Sequence, residues 1–502
     1  MFPFVVKKIG LNFERAQKIK VLNCLFPFSF KLIGLFYFCE SIEHNSIFLK
    51  MSDQLNRRKF LKKTTKAGFG IVLGGATLYT SAGQLLPALE SYPYNLEKLD
   101  NVRIGIVGVG GMGTSHVSNF LKIDGCEIVA VCDIMESRVE SAQKMAVDAG
   151  FKKPDGYSKG EFDFKRMCER NDIDLVFTAT PWKWHVPVCL EAMNAGKHAA
   201  TEVPAALTIS DCWALIETSE NTGKHCIMME NCNYDRDEMI ILNMVKKGLF
   251  GDLLHARCGY LHDLRAVKHD MNGEGVWRRE WSKKRNGDLY PTHGLGPVAQ
   301  CMDINRGNYF DYLVSFGTKS KGLSKYAAKN FGHESPEVNE KFVLGDVVST
   351  MIKTKKGETI LVTHDTSSPR PYSRDILVQG TNGIVRKYPT PKIHIEGKSP
   401  GHAWEDLSVY KDEYYHPLWK QMEADAEGAG HGGMDYLEDY RLINALLNGL
   451  EPDMDVYDAA VLSAVTELSE KSIASGGWPM QFPDFTRGMW KSRRTLPVME
   501  VK

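Results

Sequence analysis

The sequence has no excess of charge of either sign. Its 502 residues include 62 Lys and Arg against 62 Asp and Glu, so the formal net charge is zero with histidine neutral. A zero net charge offers no general electrostatic basis for binding nucleic acid or an anionic membrane surface. The sequence therefore predicts no nucleic acid partner.

Paired cysteines and internal repeats are also missing. The 11 cysteines are scattered without a C-x-x-C pair, and Cys126, Cys132 and Cys226 fall within predicted strands. This distribution is typical of buried, small apolar side chains rather than of a zinc site or a disulfide framework. No metal site is predicted.

What the chain does contain is a strand that runs into a glycine-rich turn. The apolar residues 102–107 precede Gly108, Gly110 and Gly113, which have the G-x-G-x-x-G spacing, and a helical pattern follows. Gly108 allows the tight turn, Gly110 lets backbone approach a pyrophosphate, and Gly113 lets the helix pack closely on the strand. The helix N-terminus offers unpaired N–H groups to the phosphates. The segment predicts a dinucleotide-binding site.

The next predicted strand indicates which dinucleotide binds. It covers residues 127–133 and ends in Asp133, 20 positions after Gly113. In this fold a carboxylate at that position binds the adenosine ribose. Because it also repels a 2′-phosphate, NAD is predicted in preference to NADP.

The N-terminal segment has the pattern of an export signal. Arg57 and Arg58 begin an R-R-x-F-L-K motif, which is followed by a glycine-rich, weakly apolar run over residues 67–82. This pattern is typical of twin-arginine signal peptides, so residues 51–84 are predicted to be one. Residues 1–50 are then an upstream extension of the reading frame or disordered, with a membrane anchor as the alternative.

The signal predicts export by the twin-arginine machinery to the periplasm or cell envelope of a bacterium. That route carries folded proteins, often with cofactor inside. Because no pool of free nicotinamide cofactor exists outside the cytoplasm, the NAD is expected to be tightly bound.

The remaining chain is long enough, with 43% hydrophobic residues, for about two domains. Alternating strands and helices predict a doubly wound parallel sheet, an NAD-binding Rossmann domain over residues 100–235. Later strands joined by short turns predict an open, mainly antiparallel sheet in a C-terminal α/β domain over residues 236–485. Two amphipathic helices, residues 435–448 and 455–475, are expected to pack back on the Rossmann domain. The less regular, aromatic-rich stretch 277–307 is a candidate substrate wall.

Several motifs together resemble those of the Gfo/Idh/MocA oxidoreductases over residues 100–475. More narrowly, the chain is similar to glycoside hydrolase family 109, the NAD-dependent α-N-acetylgalactosaminidases. The matching motifs are the glycine-rich turn and residues 180–185, 201–204, 230–234, 275–279, 290–294, 369–372 and 431–435.

One position departs from the wider oxidoreductase pattern. Most of that superfamily has Glu-Lys-Pro where this chain has Glu202, Val203 and Pro204. The superfamily lysine assists hydride transfer from a substrate hydroxyl, and a valine cannot move a proton. The resemblance to family 109 implies this replacement, and it leaves the proton transfer to other residues.

The resemblance implies a hydrolysis in which NAD is used and restored, unlike that of ordinary two-carboxylate glycosidases. Hydride passes from sugar carbon 3 to NAD⁺, a base removes the proton on carbon 2, and the aglycone leaves. Water then adds and the hydride returns. The implied substrate is a terminal α-N-acetylgalactosamine or a related hexosaminide.

The resemblance also assigns candidate residues. For the adenosine diphosphate half of NAD they are Gly108, Gly110, Gly111, Met112, Gly113 and Asp133, and for the nicotinamide half Trp182, His185, Glu202, Val203 and Asn231. The acid–base candidates are Tyr234, Tyr290 and His293, and the substrate contacts are Tyr260, Arg278, Arg279, Tyr290, His293 and Tyr372.

Two other functions stay open from the sequence. A net NAD-dependent sugar or polyol dehydrogenase, or a sugar–sugar oxidoreductase, is disfavoured by the missing lysine and by the export signal. A non-catalytic, nucleotide-holding sugar-binding protein has no need of Tyr290 and His293. A homo-oligomer is compatible with the sequence.

Overall fold

The computed structural model describes residues 97–493 and 496–499. The predicted signal peptide, residues 51–84, and the extension before it lie outside the described residues.

The first half of the described chain forms a parallel sheet. Its strands are β1 (Val102–Val107), β2 (Cys126–Cys132), β3 (Asp155–Tyr157), β4 (Leu175–Thr178), β5 (His198–Thr201) and β6 (Cys226–Met228). Their order in the sheet is β3-β2-β1-β4-β5-β6, and every pairing is parallel. The central strands are buried on both faces, as parallel sheets require. The predicted doubly wound sheet is confirmed.

Five helices connect these strands. They are α1 (Gly111–Phe120), α2 (Glu136–Asp148), α3 (Asp163–Cys168), α4 (His185–Asn194) and α5 (Ile209–Thr222). The ends of α5 follow local chemistry, because the Thr208 hydroxyl accepts a hydrogen bond from Asp211 N at 3.1 Å and Gly223 ends the helix with a φ of +66°. The strand order reverses between β1 and β4. The carboxyl ends of these two strands therefore flank a crevice, which is where such sheets bind ligands.

The second half builds a larger sheet. Its strands are β7 (Leu253–Leu261), β8 (Phe310–Gly317), β9 (Val348–Thr354), β10 (Thr359–Asp365), β11 (Leu377–Gly380), β12 (Gly383–Arg386), β13 (Lys392–Ile395), β14 (Glu405–Asp406) and β15 (Met480–Gln481). Their order is β14-β13-β12-β11-β7-β10-β9-β8-β15. The β7–β10 pairing is parallel and the other pairings are antiparallel. The predicted open, mainly antiparallel sheet is confirmed.

The second half also contains a series of helices, some of which contact this sheet. They are α6 (Arg236–Lys246), α7 (Arg265–His269), α8 (Gly275–Lys284), α9 (Thr292–Cys301), α10 (Gly322–Phe331), α11 (Lys411–Tyr414), α12 (Pro417–Ala426), α13 (Met434–Asn448) and α14 (Val456–Ala474). Among all the described residues, no helix is long and apolar enough to cross a membrane.

The stretch 277–307 is more regular than the sequence suggests, because it contains most of α8 and all of α9. Gly294, Gly296 and Pro297 lie within α9, and such residues disfavour helix. Packing explains the helix, because a Cβ on Gly294 would lie 2.3 Å from Gly259 N in β7. The small residues let α9 contact the sheet backbone, and tertiary packing outweighs local propensity.

The two late helices do pack on the Rossmann half, as predicted. Helix α13 contacts α1, and α14 lies between α5 and β8. The prediction that α14 is amphipathic is wrong, because its residues 456–469 are all buried except Glu467. A helix enclosed on both sides has no solvent face on which to carry polar residues.

Candidate active site

The glycine-rich turn leaves no room for side chains at two positions. Gly108 has a φ of +84°, and a Cβ there would lie 2.9 Å from the backbone of Ala179. A Cβ on Gly113 would lie 1.9 Å from Gly108 O. The turn and the close packing of α1 on β1 therefore require glycine at both positions.

The outer side of the turn is open. A Cβ on Gly110 would meet only the mobile end of Arg138, at 3.2 Å, and a Cβ on Gly111 would have no described atom within 4 Å. Met112 follows in the first turn of α1, where the first N–H groups have no partner within the helix and no side chain caps them. The surface fits a pyrophosphate that approaches the backbone here.

Asp133 is fixed beside the turn. Its carboxylate accepts hydrogen bonds from Val109 N at 3.1 Å and from Met135 N at 2.9 Å. Arg138 Nη1 lies 3.7 Å from the same carboxylate. Two amide donors hold the carboxylate at the end of β2 and leave acceptor capacity for ribose hydroxyls.

Glu202 is held by a buried chain of side chains. Its Oε1 lies 2.8 Å from His116 Nε2, and His116 Nδ1 lies 2.9 Å from Asp439. Burial alone lowers the pKa of His116, but the two carboxylates outweigh it and raise the pKa well above its usual value. Glu438 is adjacent, with neither carboxylate oxygen hydrogen-bonded, and burial raises its pKa well above the usual range. The cluster therefore places a neutral Glu438 beside the contact between Glu202 and His116.

The other candidates for the nicotinamide half are mostly held inside the protein. The ring nitrogens of His185 lie 2.8 Å from Pro204 O and from Thr180 O, so the ring joins the segments after β4 and β5. Val203 is 2% exposed and packs in the core. Asn231 donates to Asp435 Oδ1 at 2.7 Å. These residues shape the crevice wall.

Aromatic side chains from distant segments meet above the crevice. Trp182 stacks on Tyr290 at 5.5 Å between ring centroids, and Tyr290 lies 4.8 Å from His293. Tyr260 lies 4.7 Å from Tyr290 and 5.5 Å from His293, with Tyr372 at 6.4 Å. The fold thus brings together five candidates that are separated by up to 190 positions (182 to 372).

His293 lies in the first turn of α9, not in a loop as the sequence suggests. Its Nδ1 lies 2.7 Å from Oε1 of Glu230, whose side chain is fully buried. Burial raises the pKa of Glu230, but the attraction and hydrogen bond of His293 outweigh it and hold the pKa below its usual value. An ionised Glu230 fixes the proton on Nδ1 and leaves Nε2 to accept one.

The two tyrosine hydroxyls beside His293 keep their protons at neutral pH. Burial raises the pKa of Tyr260 to about 12, although Arg278 opposes it. Burial raises the pKa of Tyr290 well above its usual value against the same arginine. Both hydroxyls are poor bases, which leaves His293 as the candidate base among these three side chains.

The two arginine candidates have different environments. The Arg278 guanidinium carbon lies 5.3 Å from the Tyr290 ring centroid and 5.1 Å from that of Trp182, which places it in the aromatic cluster. Arg279 points elsewhere, because its Nη2 donates to Met271 Sδ at 3.2 Å and its Nε lies 3.7 Å from Glu340. Arg278 therefore lies beside the other substrate-contact candidates, whereas Arg279 does not, and both assignments stay predictions.

Tyr234 is not part of the cluster. Its buried hydroxyl donates to Asp453 Oδ2 at 3.0 Å, and Asp453 is paired with Arg441. Burial and Asp453 raise the pKa of Tyr234 well above its usual value, so it is a poor base. The proximity of Tyr234 to β6 in the sequence was misleading, because its side chain points towards α13 rather than towards His293.

Comparisons with known proteins cover both halves. A family model described as oxidoreductase family, NAD-binding Rossmann fold matches residues 102–230. A model described as glycosyl hydrolase 109, C-terminal domain matches residues 234–492. The chain is 42% identical over 455 residues to an alpha-N-acetylgalactosaminidase of Shewanella oneidensis, covering 89% of this chain and 99% of the relative. It is 43% identical over 454 residues to a glycosyl hydrolase family 109 protein of Shewanella pealeana, with the same coverage.

The chain belongs to glycosyl hydrolase family 109.

Solved structures show how the family 109 fold relates to dehydrogenases. Levoglucosan dehydrogenase in complex with NADH and L-sorbose has a TM-score of 0.60 at 20% identity, covering 77% of this chain and 100% of that one. An inositol dehydrogenase homologue from Azotobacter vinelandii with NAD⁺ has a TM-score of 0.59 at 19% identity, covering 78% and 100%. The fold is shared with these enzymes. The predicted family, NAD-binding Rossmann domain and glycoside hydrolase class of this family 109 protein are confirmed.

Four residues of the site were missed from the sequence, namely Glu230, His116, Asp439 and His262. Tyr260 and His262 Nδ1 form a hydrogen bond of 3.0 Å, and the His262 ring lies 5.1 Å from Tyr372. The period-2 spacing of Tyr260 and His262, which predicts the same side of a strand, was an available signal. His116 and Asp439 are 323 positions apart, and only the fold shows their contact.

One group of donors in the family 109 site has the spacing of a metal site. Donor atoms of Glu230, Cys232 and His293 all lie within 4.8 Å of one another. Burial raises the pKa of Cys232 well above its usual value, so the thiol stays protonated and is a poor ligand. Glu230 and His293 bind each other, which accounts for them without a metal.

Proposed function

We propose that this protein hydrolyses a terminal α-N-acetylgalactosamine, or a related hexosaminide, and restores its NAD in every turnover. The observation that carries the proposal is the pairing of His293 with Glu230 beside the crevice, at 2.7 Å. The burial of Val203, at 2% exposure, adds to it, because no lysine is available there for a net dehydrogenation. The named activity of the Shewanella oneidensis relative supports the choice of sugar.

The residues that would hold NAD are those of the turn, with Asp133 at the ribose and Trp182 and Glu202 on the nicotinamide side. When bound, NAD supplies an acceptor for the hydride on sugar carbon 3 and later the donor that returns it. Removal of this hydride acidifies the proton on carbon 2. All proton movement is left to the protein.

His293 removes the carbon-2 proton at Nε2, and the bond from carbon 1 to the aglycone oxygen breaks. Glu230 stabilises the imidazolium formed in this step, because its carboxylate is buried, ionised and bonded to Nδ1. Water then adds, so that its hydroxyl bonds to carbon 1 and its proton goes to the aglycone oxygen, which left as an alkoxide. The imidazolium, whose proton exchanges with solvent, returns a proton to carbon 2. Atoms and charge balance without an external oxidant or reductant.

Tyr260, Tyr290 and Arg278 bind and orient the sugar. Both phenols stay protonated, so they donate to ring hydroxyls, and Arg278 lies against the Tyr290 ring. Aromatic faces of Trp182 and Tyr372 complete a surface suited to a sugar ring.

The test is hydrolysis of nitrophenyl α- and β-N-acetylgalactosaminides in heavy water by protein purified with its NAD. We expect release of the sugar with deuterium at carbon 2 and no net change in the absorbance of reduced cofactor. Hydrolysis without deuterium at carbon 2 would contradict the elimination route. Net accumulation of reduced cofactor without hydrolysis would identify a dehydrogenase instead.

We also propose that the protein is exported through the twin-arginine route, as the Arg57–Arg58 motif predicts. Replacing both arginines with lysine should keep the protein in the cytoplasm of a bacterial host. Fractionation of cells that express either form measures this, and unchanged export of the double variant would contradict the assignment.

A further inference from the structure

A cavity lined in part by Trp182, Tyr260 and Tyr290 of the aromatic cluster extends from it to Lys268 and His364. It encloses about 260 Å³ of space between atoms, part of it open to solvent. Two cations line it, Lys268 and Arg278, and none of the lining residues is acidic. The remaining walls are Trp182, Tyr260, Leu264, Ser282, Leu289, Tyr290, Leu344, His364 and Thr366.

Lys268 is unusual because lysine side chains are rarely buried. Its side chain is 3% exposed, and its Nζ donates to Thr366 Oγ1 at 2.7 Å and more weakly to Ser367 Oγ at 3.4 Å. Those hydroxyls leave one of three N–H donors without a partner among the described residues. Burying an ammonium without a counter-ion is costly, because the charge loses its hydration.

The nearest acidic groups are engaged elsewhere. Asp346 accepts hydrogen bonds from the backbone N–H groups of Lys321 and Gly322, and Asp365 is paired with Arg370. Burial, followed by repulsion from Arg278, lowers the pKa of Lys268 to about 7. No carboxylate therefore lines the cavity beside Lys268 and Arg278, and Asp346 and Asp365 act on Lys268 without bonding to it.

His364 gives a second, independent observation. It is 2% exposed, and its Nδ1 has no hydrogen-bond partner among the described residues. Burial and the two cations lower its pKa to about 3, so the ring is neutral and one of its nitrogens carries a proton. Arg278 pairs with Glu274 at 3.0 Å, but that carboxylate is half-exposed and does not line the cavity.

We propose that this cavity binds one monatomic anion, such as chloride, through Lys268 Nζ and His364 Nδ1, with Arg278 adding a nearby positive charge. The rest of the lining is mainly leucine and aromatic side chains, so the cavity offers few N–H donors. Few donors suit a small spherical anion rather than a tetrahedral oxyanion, which needs several.

The bound anion relieves the repulsion between Lys268 and Arg278. It therefore stabilises the packing of α7 and α8 behind Tyr260 and Tyr290. This is a site for an inorganic ion, and it does not depend on the sugar hydrolysis proposed above.

The test compares the unfolding temperature of the whole protein, with its NAD, in chloride, bromide, sulfate and gluconate at a constant ionic strength of about 0.15 M. We expect chloride and bromide to raise it by about 2 °C over gluconate, because a ligand that binds only the folded state stabilises it. Sulfate should have no specific effect beyond that of gluconate. Crystals grown in bromide should show an anomalous peak between Lys268 and His364.

Lys268→Met should remove the halide effect, and the exposed Lys144→Met should keep it. If the Lys268→Met variant does not fold, the presence or absence of the bromide peak in the unaltered protein tests the anion site. Equal unfolding temperatures in all four salts, with no bromide peak, would show that the cavity holds water beside a neutral lysine. Displacement of bromide by N-acetylgalactosamine would show instead that the cavity is part of the sugar site, and either result would overturn the proposal.

Discussion

On the dinucleotide side of the crevice the binding surface is made of backbone, whereas on the sugar side it is made of side chains. The turn from Gly108 to Gly113 is contiguous in sequence, and its shape depends on missing Cβ atoms. The sugar side is assembled from the segments around Trp182, Glu230, Tyr260, His293 and Tyr372. The first surface can fail through one added methyl group, and the second through one lost proton acceptor.

The largest effect is expected on the backbone side. Gly113→Ala places a Cβ 1.9 Å from Gly108 O, and neither backbone segment can move without opening the turn. We expect NAD binding to weaken by more than about 100-fold and hydrolysis to disappear with it. Cofactor content after acid release measures this. Gly401→Ala, which meets no described atom within 4 Å, is the control, and an NAD-loaded Gly113→Ala protein would contradict the account.

On the side-chain side, Glu230→Gln should spare NAD and slow the reaction. Glutamine keeps an acceptor for His293 Nδ1 but removes the charge that stabilises the imidazolium. We expect turnover to fall by about 10- to 100-fold. The acid limb of the pH–rate profile should move to lower pH, because the imidazolium loses its counter-charge. A merely structural role would leave the profile in place, and the exposed Glu217→Gln is the control.

The same contrast explains what could be predicted from the sequence. The turn and Asp133 could be predicted, because Gly108 and Gly113 have a local steric reason and the spacing to the next strand fixes the position of Asp133. On the sugar side only a set of candidate residues could be predicted, and not their roles. The sequence alone does not distinguish Tyr234 from Tyr290, because both are tyrosines. Their roles differ because one hydroxyl meets Asp453 and the other ring meets Trp182 and His293. Helix α9 was hidden by its glycines and proline, which pack against β7.

Glu202 lies between the two sides, and its substitution sharpens the comparison. Glu202→Gln replaces a carboxyl group near the nicotinamide half by an amide while His116 and Asp439 stay in place. We expect affinity for NAD⁺ to fall by about tenfold and affinity for NADH to change little, because only the oxidised ring is positively charged. Fluorescence titration of both forms measures the ratio. Asp174→Asn, in the partly exposed pair with Arg103, should leave it unchanged, and an unchanged ratio in Glu202→Gln would exclude an electrostatic role.

The smallest effect is expected at Tyr234. Tyr234→Phe removes one buried hydrogen bond to Asp453, which keeps its pairing with Arg441. We expect about 1 kcal/mol less stability and less than about a twofold change in turnover. Denaturant unfolding and steady-state rates measure the two quantities. A loss of turnover as large as that of Glu230→Gln would return Tyr234 to the reaction.

The central claim is that His293 removes the carbon-2 proton of the sugar. The most direct test measures exchange of that proton of an N-acetylgalactosaminide in heavy water by the His293→Ala variant. The amount of bound NAD is measured in the same sample. The account predicts a full complement of NAD, because His293 lies on the side-chain half of the site, and exchange slowed by about 10²- to 10⁴-fold. Normal exchange by the NAD-loaded variant would contradict it.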